Sequence, residues 1–342
     1  MQLGGCESDG PRDMKPIPKR QAFISVLRLV LPLTLAAAPA SAQQYPVKPI
    51  RLVVTSPPGG SQDFLARLLG QSLAPALGQQ LLVDNRTGAS GVIGIDFVAK
   101  APSDGYTLLL GAAGTMAIVP ALRAKLPFDP LRDFAPVTLV ASGPFALVVH
   151  PSVPARNLKE LIALAKVKPR ALNYGSSGTG ASPHLAMELL KAMAQIELLH
   201  VPYKGVGPAL TDVIAGQIDA MLADVHLVAP HAGSGRLRSL AVTSAERTAV
   251  MPTVPTVIES GLPGYTAGTW FGLFVPAATA PEIIARLNGE VGKVLTQPAL
   301  RDRLQTQGIE PRPSTPEQLG THLRNEIEKW RKVVAIANIK LE

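Results

Sequence analysis

The first third of the chain repeats one plan three times: a β-type apolar run, a glycine-rich loop, then helix-type sequence. IRLVVT (50–55) leads through SPPGGSQD into FLARLLGQSLAPAL, whose Phe64, Leu65, Leu68, Leu69 and Leu73 share one helical face. QLLVDN (80–85) enters RTGASGVIG before GIDFVAKA, and TLLLGA (107–112) enters AGTM. Strands that alternate with helices in this way pair into parallel sheets with helices on their faces, so the fold class is α/β. Sheets of this kind bind ligands outside the carboxyl ends of their strands, which is where each glycine loop falls.

Two long apolar runs break the alternation, TLVASGPFALVVH (138–150) and TWFGLFVPA (269–277), and they read as strands crossing between two domains. Between them lie further βα units: a helix opened by an Asn157/Glu160 capping box, the strand ALNYG, a helix from Pro183, then IELLHV, TDVIAGQ, IDAMLAD and LRSLAVTS. After the second run only helix signals remain, the last behind a Thr315/Gln318 capping box. One lobe is then built from both ends of the chain, 43–142 plus 274–342, and the other from 143–273. MPTVPTVIESGLPGY (251–265) is rich in proline and reads as an ordered surface connection.

The N-terminus stands apart. Lys15, Lys19 and Arg20 precede the apolar LVLPLTLAAA, and Ala40-Ser41-Ala42 follows as an A-x-A site, so 1–42 reads as a signal peptide cleaved after Ala42. The apolar run is shorter than the ~20 residues a spanning helix needs, and Arg28 prevents its extension. Met14, directly before KPIPKR, is the expected true start, which leaves 1–13 untranslated. Lys19-Arg20 is not a twin-arginine pair and no lipobox precedes Cys6, so a Sec-exported, soluble periplasmic monomer starting at Gln43 is expected. Cleavage removes Cys6, the one cysteine, and with it thiol nucleophiles and Cys-ligated zinc.

The net charge of +8 is modest and dispersed, and aromatic content of 4% offers no stacking platform, so nucleic-acid binding is not expected. A small anion suits the charge better. Enzyme signatures fail: Gly59-Gly60-Ser61-Gln62-Asp63 lacks the last glycine of GxSxG, there is no HExxH, and His226 and His231 are off the spacing for two ligands on one helical face. Neither a metal nor a cofactor is expected.

LNYGSSGTGASPH (172–184) carries the GxxxxG spacing of a phosphate-binding loop at Gly175 and Gly180, but Ala181 stands where that motif has lysine. Ser182 is placed to cap the following helix and Pro183 to open it, which aims backbone N–H groups at the end of the strand. Helix N-termini attract anions, and Gly178 and Gly180 permit close approach to the main chain. A carboxylate fits this loop better than a nucleotide; a plain strand-to-helix turn is the alternative. PPGGSQD (57–63) and GASGVIG (88–94) occupy equivalent points, so two lobes would enclose a cleft between glycine loops. Asp63 reads first as a helix cap and second as a ligand contact. His184 reads as a packed or capping histidine, and Asp224, ending IDAMLAD, as a strand-terminal acid facing the cleft or solvent.

YPVKPIRLVV with PPGGSQD-x3-R, LGQQLLVDNRTGASGVIG, VAKAPSDGYTLL, KLPFDPLRDFAPVTLV, LNYGSSGTGASPHLAMEL, HVPYKGVGPALTDVIAGQIDAM, LAVTSAER, VPTVIESGLPGY and W-x-GLFVPA together resemble the Bug-type receptors, the extracytoplasmic solute receptors of tripartite tricarboxylate transporters. The resemblance runs from Tyr45 to the C-terminal helix. It implies a two-lobed, type II-like periplasmic binding protein fold that holds a mono- or dicarboxylate or related solute in the interlobe cleft and passes it to a membrane permease. The implied ligand-binding residues are Gly59, Gly60, Ser61 and Asp63, then Ser177, Gly178, Thr179, Gly180, Ala181 and His184, and Asp224. Ser56, where an aromatic is common, and the LADVHLV stretch around His226 depart from the family pattern. Two other readings stay open: a secreted α/β hydrolase or isomerase using His184 and Asp224, and a sensory co-receptor for a membrane kinase.

Overall fold

The computed structural model describes residues 45–123 and 125–336, so the expected leader, its cleavage site and the start at Met14 lie outside the described residues. In chain order the elements are β1 (Ile50–Val54), α1 (Ser61–Leu77), β2 (Leu81–Asn85), a 3-10 turn (Ala89–Gly91), α2 (Val92–Ala99), β3 (Thr107–Ala112), a π-helical turn (Gly114–Ile118), α3 (Val119–Leu122) and the long β4 (Phe134–Val149). Next come α4 (Leu158–Val167), β5 (Asn173–Ser176), α5 (Ser182–Ala194), β6 (Leu199–Pro202), α6 (Val206–Ile214), β7 (Ala220–Asp224), α7 (Val225–Gly233) and β8 (Arg238–Val242). The chain closes with β9 (Gly268–Pro276), α8 (Pro281–Leu295), α9 (Pro298–Gln305), β10 (Glu310–Pro311) and α10 (Pro316–Ile336).

Two α/β lobes share β4. In the first sheet the order is β2-β1-β3-β9-β4, with β1 parallel to both neighbours and β9 antiparallel to β3 and β4. In the second, β7 and β8 both pair antiparallel with β4, and β5 and β6 extend the β7 side in parallel. Pro144 is the last β4 residue paired with β9, and Phe145 is the first paired with β7, opposite Asp224. The crossing therefore sets Asp224 where the lobes meet.

Local chemistry explains the elements. In β1 Arg51 alone is exposed, the near-continuous apolar pattern of a strand covered on both faces. Leu65, Leu68, Leu69 and Leu73 of α1 bury together against that sheet, and Gly78 ends the helix with φ 67°, a left-handed value that favours glycine. Phe64, expected in the same stripe, is only partly buried and reaches toward His226 of the second lobe. Both capping boxes form: Asn157 Oδ1 accepts from Glu160 N at 2.9 Å, and Thr315 and Gln318 exchange bonds of 3.2 and 2.9 Å.

Four expectations are corrected. Ala181, not Ser182, is the N-cap of α5, and no side chain caps it, because Ser182 already has helical backbone. Asp63 does not cap α1; Gly60 does, and Asp63 lies inside the first turn. The return between lobes falls at the start of β9, since Ala267 N still bonds Thr243 O of the second lobe at 3.2 Å while Gly268 onward pairs in the first sheet. The expected boundary at 273/274 thus lies inside a strand. Finally, β10 adds two residues beside Ala141 and Ser142 where only helices were expected.

A further core ties the lobes together. Leu185 of α5 packs with Trp270 and Phe274 of β9 and with Leu319, Leu323, Ile327 and Trp330 of α10. At its edge Glu326 accepts from both indoles, Trp270 at 3.1 Å and Trp330 at 3.0 Å, and pairs with Lys329 at 3.1 Å. Burial favours the neutral acid, but Lys329 and the indole donors outweigh it and hold the Glu326 carboxyl below its usual range.

Candidate functional site

The carboxyl ends of β1, β5 and β7 lead into α1, α5 and α7. The first-turn amides of a helix have no intrahelical partner, so each N-terminus offers donors and partial positive charge. In the first loop Gly59 has φ 84°, and its N–H donates to Asp63 Oδ2 at 3.0 Å. Arg67 binds the same carboxylate at 2.9 Å and Asn85 Nδ2 donates to Oδ1 at 2.9 Å. Burial would raise the Asp63 pKa, yet these donors prevail and hold it below its ordinary value. Asp63 is therefore a brace for the loop, its oxygens already engaged. Beside it the buried Gln62 accepts from Thr55 N and Oγ1, both at 3.2 Å, and donates to Leu110 O, joining the ends of β1 and β3.

The second-lobe loop is also braced from within. Gly178 N donates to Ser176 Oγ at 3.2 Å, Gly180 N to His184 Nδ1 at 3.2 Å, and Ala181 N to Gly178 O at 3.1 Å. Ser177 O accepts from Gly205 N at 3.2 Å. Behind the loop the rings of His184 and His200 stack at 4.0 Å, with Tyr174 at 4.9 Å from His200, and Ser176 Oγ lies 2.7 Å from His200 Nε2. Burial lowers both imidazole pKa values from 6.5 to about 4, and for His200 the charge of its neighbour His184 adds to the effect. Both are neutral at pH 7, and the bond from Gly180 N leaves the His184 proton on Nε2.

An unfolded chain would bind protons at these imidazoles near 6.5, where the folded one refuses them down to about 4. Their contribution to stability is thus complete above pH 6.5 and is lost as pH falls from there to 4. Melting temperatures recorded across that window are expected to fall, with a shallower fall in His200→Asn. A profile identical to wild type in the variant would contradict the coupling.

Across the cleft the lobes touch at several points. Ser61 Oγ donates to Asp224 Oδ2 at 2.6 Å and lies 3.4 Å from His226 Nε2, while Phe64 stacks with His226 at 6.2 Å. Ser90 Oγ donates to Thr179 O at 3.3 Å. A Cβ on Gly114 would stand 3.2 Å from Ser182 Oγ. Ala89 and Ser90 hold φ of 48° and 59°, left-handed values uncommon outside glycine, a form of backbone strain that collects at binding loops.

The structure thus brings Ser61 and Asp224 into contact and sets Thr179 against the Ser90 loop. Asp63 and the N–H groups of Gly59, Gly178 and Gly180 are engaged within their own loops. His184 holds Gly180 N through Nδ1 and stacks on His200. Gln62, Ser90 and His226 were not read as site residues from sequence. Signals existed nonetheless: Gln62 and Ser90 lie in the glycine loops PPGGSQD and GASGVIG, and His226 in a stretch that departs from the family pattern. Among the described residues no cluster of three or more His, Cys, Asp or Glu side chains could hold a metal ion.

Two α/β lobes that share β4 and touch at Ser61–Asp224 and Ser90–Thr179 have the architecture of a two-lobed solute-binding protein. The chain belongs to the tripartite tricarboxylate transporter family receptors, whose family model matches residues 65–339. It is 37% identical over 321 residues to Protein BugT of Bordetella pertussis, covering 94% of this chain and 98% of that one. Among solved structures, R. palustris Rpa4515 with adipate superposes with a TM-score of 0.83 at 37% identity, covering 86% of this chain and 99% of that one. MatC from Rhodopseudomonas palustris with bound malate gives 0.79 at 35% identity, over 85% and 100%. The family consists of receptors, so the chain is a binding protein and not an enzyme.

Proposed function

We propose that this receptor captures a small mono- or dicarboxylate in the interlobe cleft and delivers it to the membrane permease of a tripartite transporter, acting as a monomer in the periplasm after Sec export and cleavage behind Ala42. The observation that carries the reading is the contact between the α1 and α7 N-termini of opposite lobes, where Ser61 Oγ donates to Asp224 Oδ2 at 2.6 Å. Carboxylates bound to two structural neighbours, adipate and malate, support the ligand class. In this reading Ser61, Gly60, Ala181, Thr179 and Asp224 touch the solute, with Gly59, Asp63, Ser177, Gly178, Gly180 and His184 shaping the loops around it. Gln62 and Ser90 join them as braces.

Closure is the signal the permease reads. The lobes rotate about β4 and the return at the start of β9, and a solute touching both lobes favours the state in which they meet. A thermal-shift panel of carboxylates tests binding. A cognate solute at ~100 times its Kd stabilises by about 2.7 kcal/mol, a rise of several degrees in Tm. A panel spanning mono-, di- and hydroxy acids in which nothing raises the Tm would overturn the reading.

A further inference from the structure

We infer that His226 sets the specificity of the cleft by taking up one proton when a dicarboxylate binds, an inference that rests on the proposed carboxylate-receptor function. Ser61 opens α1, so an anion held by the α1 N-terminus lies beside the Ser61 hydroxyl and therefore beside the Asp224 carboxylate, which Ser61 contacts at 2.6 Å. Two carboxylates gathered around one hydroxyl repel, and one of the neighbouring groups must change its charge. Among the described residues Asp224 has no ion-pair partner: neither lysine nor arginine reaches it. His226 is the neighbour that can become a cation.

Its surroundings suit that role. From α7 itself the charged group acting on the ring is Asp224, and α1 presents Ser61 and Phe64, which carry no charge. Asp63 of α1 is turned away onto Gly59, Arg67 and Asn85. The Ser61 proton points to Asp224, so Ser61 Oγ can only accept from His226 Nε2–H, which leaves Nδ1 as the basic nitrogen. Burial keeps the ring neutral until a second anion arrives. The balanced event is then dicarboxylate plus one solvent proton, the proton settling on Nδ1. An anion at the α5 N-terminus meets no such carboxylate, so a monocarboxylate seated there binds without proton exchange.

Calorimetry near neutral pH in buffers of different ionisation enthalpy counts the protons. The dicarboxylate giving the largest shift in a panel of succinate, malate and adipate is compared with the unbranched monocarboxylate of equal chain length. Uptake of about one proton per dicarboxylate and none per monocarboxylate is expected, with dicarboxylate affinity falling about tenfold per pH unit on the alkaline side. His226→Gln, with unchanged circular dichroism, is expected to lose the uptake and weaken the dicarboxylate about tenfold or more while leaving the monocarboxylate as it was. Dicarboxylate binding without proton uptake, or uptake that persists in His226→Gln, overturns this inference and leaves the receptor reading standing. Failure of every carboxylate to bind overturns the receptor reading and the inference with it.

Discussion

Gly114→Phe is expected to abolish solute binding, lowering affinity by about a hundredfold or more, while both lobes stay folded. Gly114 belongs to the first lobe, yet a Cβ there would stand 3.2 Å from Ser182 Oγ and 3.5 Å from Ser182 N at the opening of α5. A phenyl ring has no room between them and props the lobes apart. Solute contacts then reach one lobe at a time, and the meeting of the lobes that gives a bridging ligand its affinity is no longer populated. Isothermal calorimetry reads the loss, and solution scattering should show a radius of gyration that no longer shrinks when solute is added. Gly114→Ala, tight but not blocking, should retain most of the affinity. Wild-type affinity in the Phe variant would mean that the cleft works without lobe closure.

Glu326→Ala is expected to cost about 3 kcal/mol of stability, because it strands two buried indole donors at ~1–3 kcal/mol each. Trp330 is fully buried and Trp270 nearly so. Glu326→Gln keeps an acceptor and should lose less. Urea unfolding followed by circular dichroism measures both variants, and equal losses would show that charge, not hydrogen bonding, is what matters there. Trp270 and Trp330 are the two tryptophans of the chain, so intrinsic fluorescence reports on this junction between β9 and α10.

Much of this architecture was legible because local rules and tertiary demands agree. The β1-loop-α1 plan, both capping boxes and the long crossing strand each rest on short-range chemistry that the chain displays openly. What was hidden depends on partners far away. β10 is two residues long and exists because Ala141 and Ser142 offer an edge, which no periodicity over two residues can announce. Ser182 has the chemistry of a cap and Pro183 suits the first turn, yet the helix takes Ser182 in and leaves Ala181 as its N-cap. The glycine loops could be located by spacing, yet whether Gly178 and Gly180 give their N–H groups to a ligand or to Ser176 and His184 is decided by side chains folded beneath them. Ser61 and Asp224 are 163 residues apart, and only the crossing of β4 opposite Asp224 makes them neighbours. The left-handed backbone of Ala89 and Ser90 contradicts their residue types, so sequence could not have shown it.

The sharing of β4 also dictates an order of assembly. As the chain emerges from its N-terminus, β3 and the first half of β4 are made early, but the strand that lies between them, β9, arrives only after the whole second lobe has passed. Until then the first sheet has two raw edges separated by the width of one missing strand, each a template for pairing with another chain. The second sheet suffers no such wait, since β5 to β8 follow β4 directly. The middle of the polypeptide is therefore free to mature before its flanks, and any product ending short of Gly268 would carry a finished inner lobe on an unzipped outer one, prone to aggregation in a way that the full-length molecule is not.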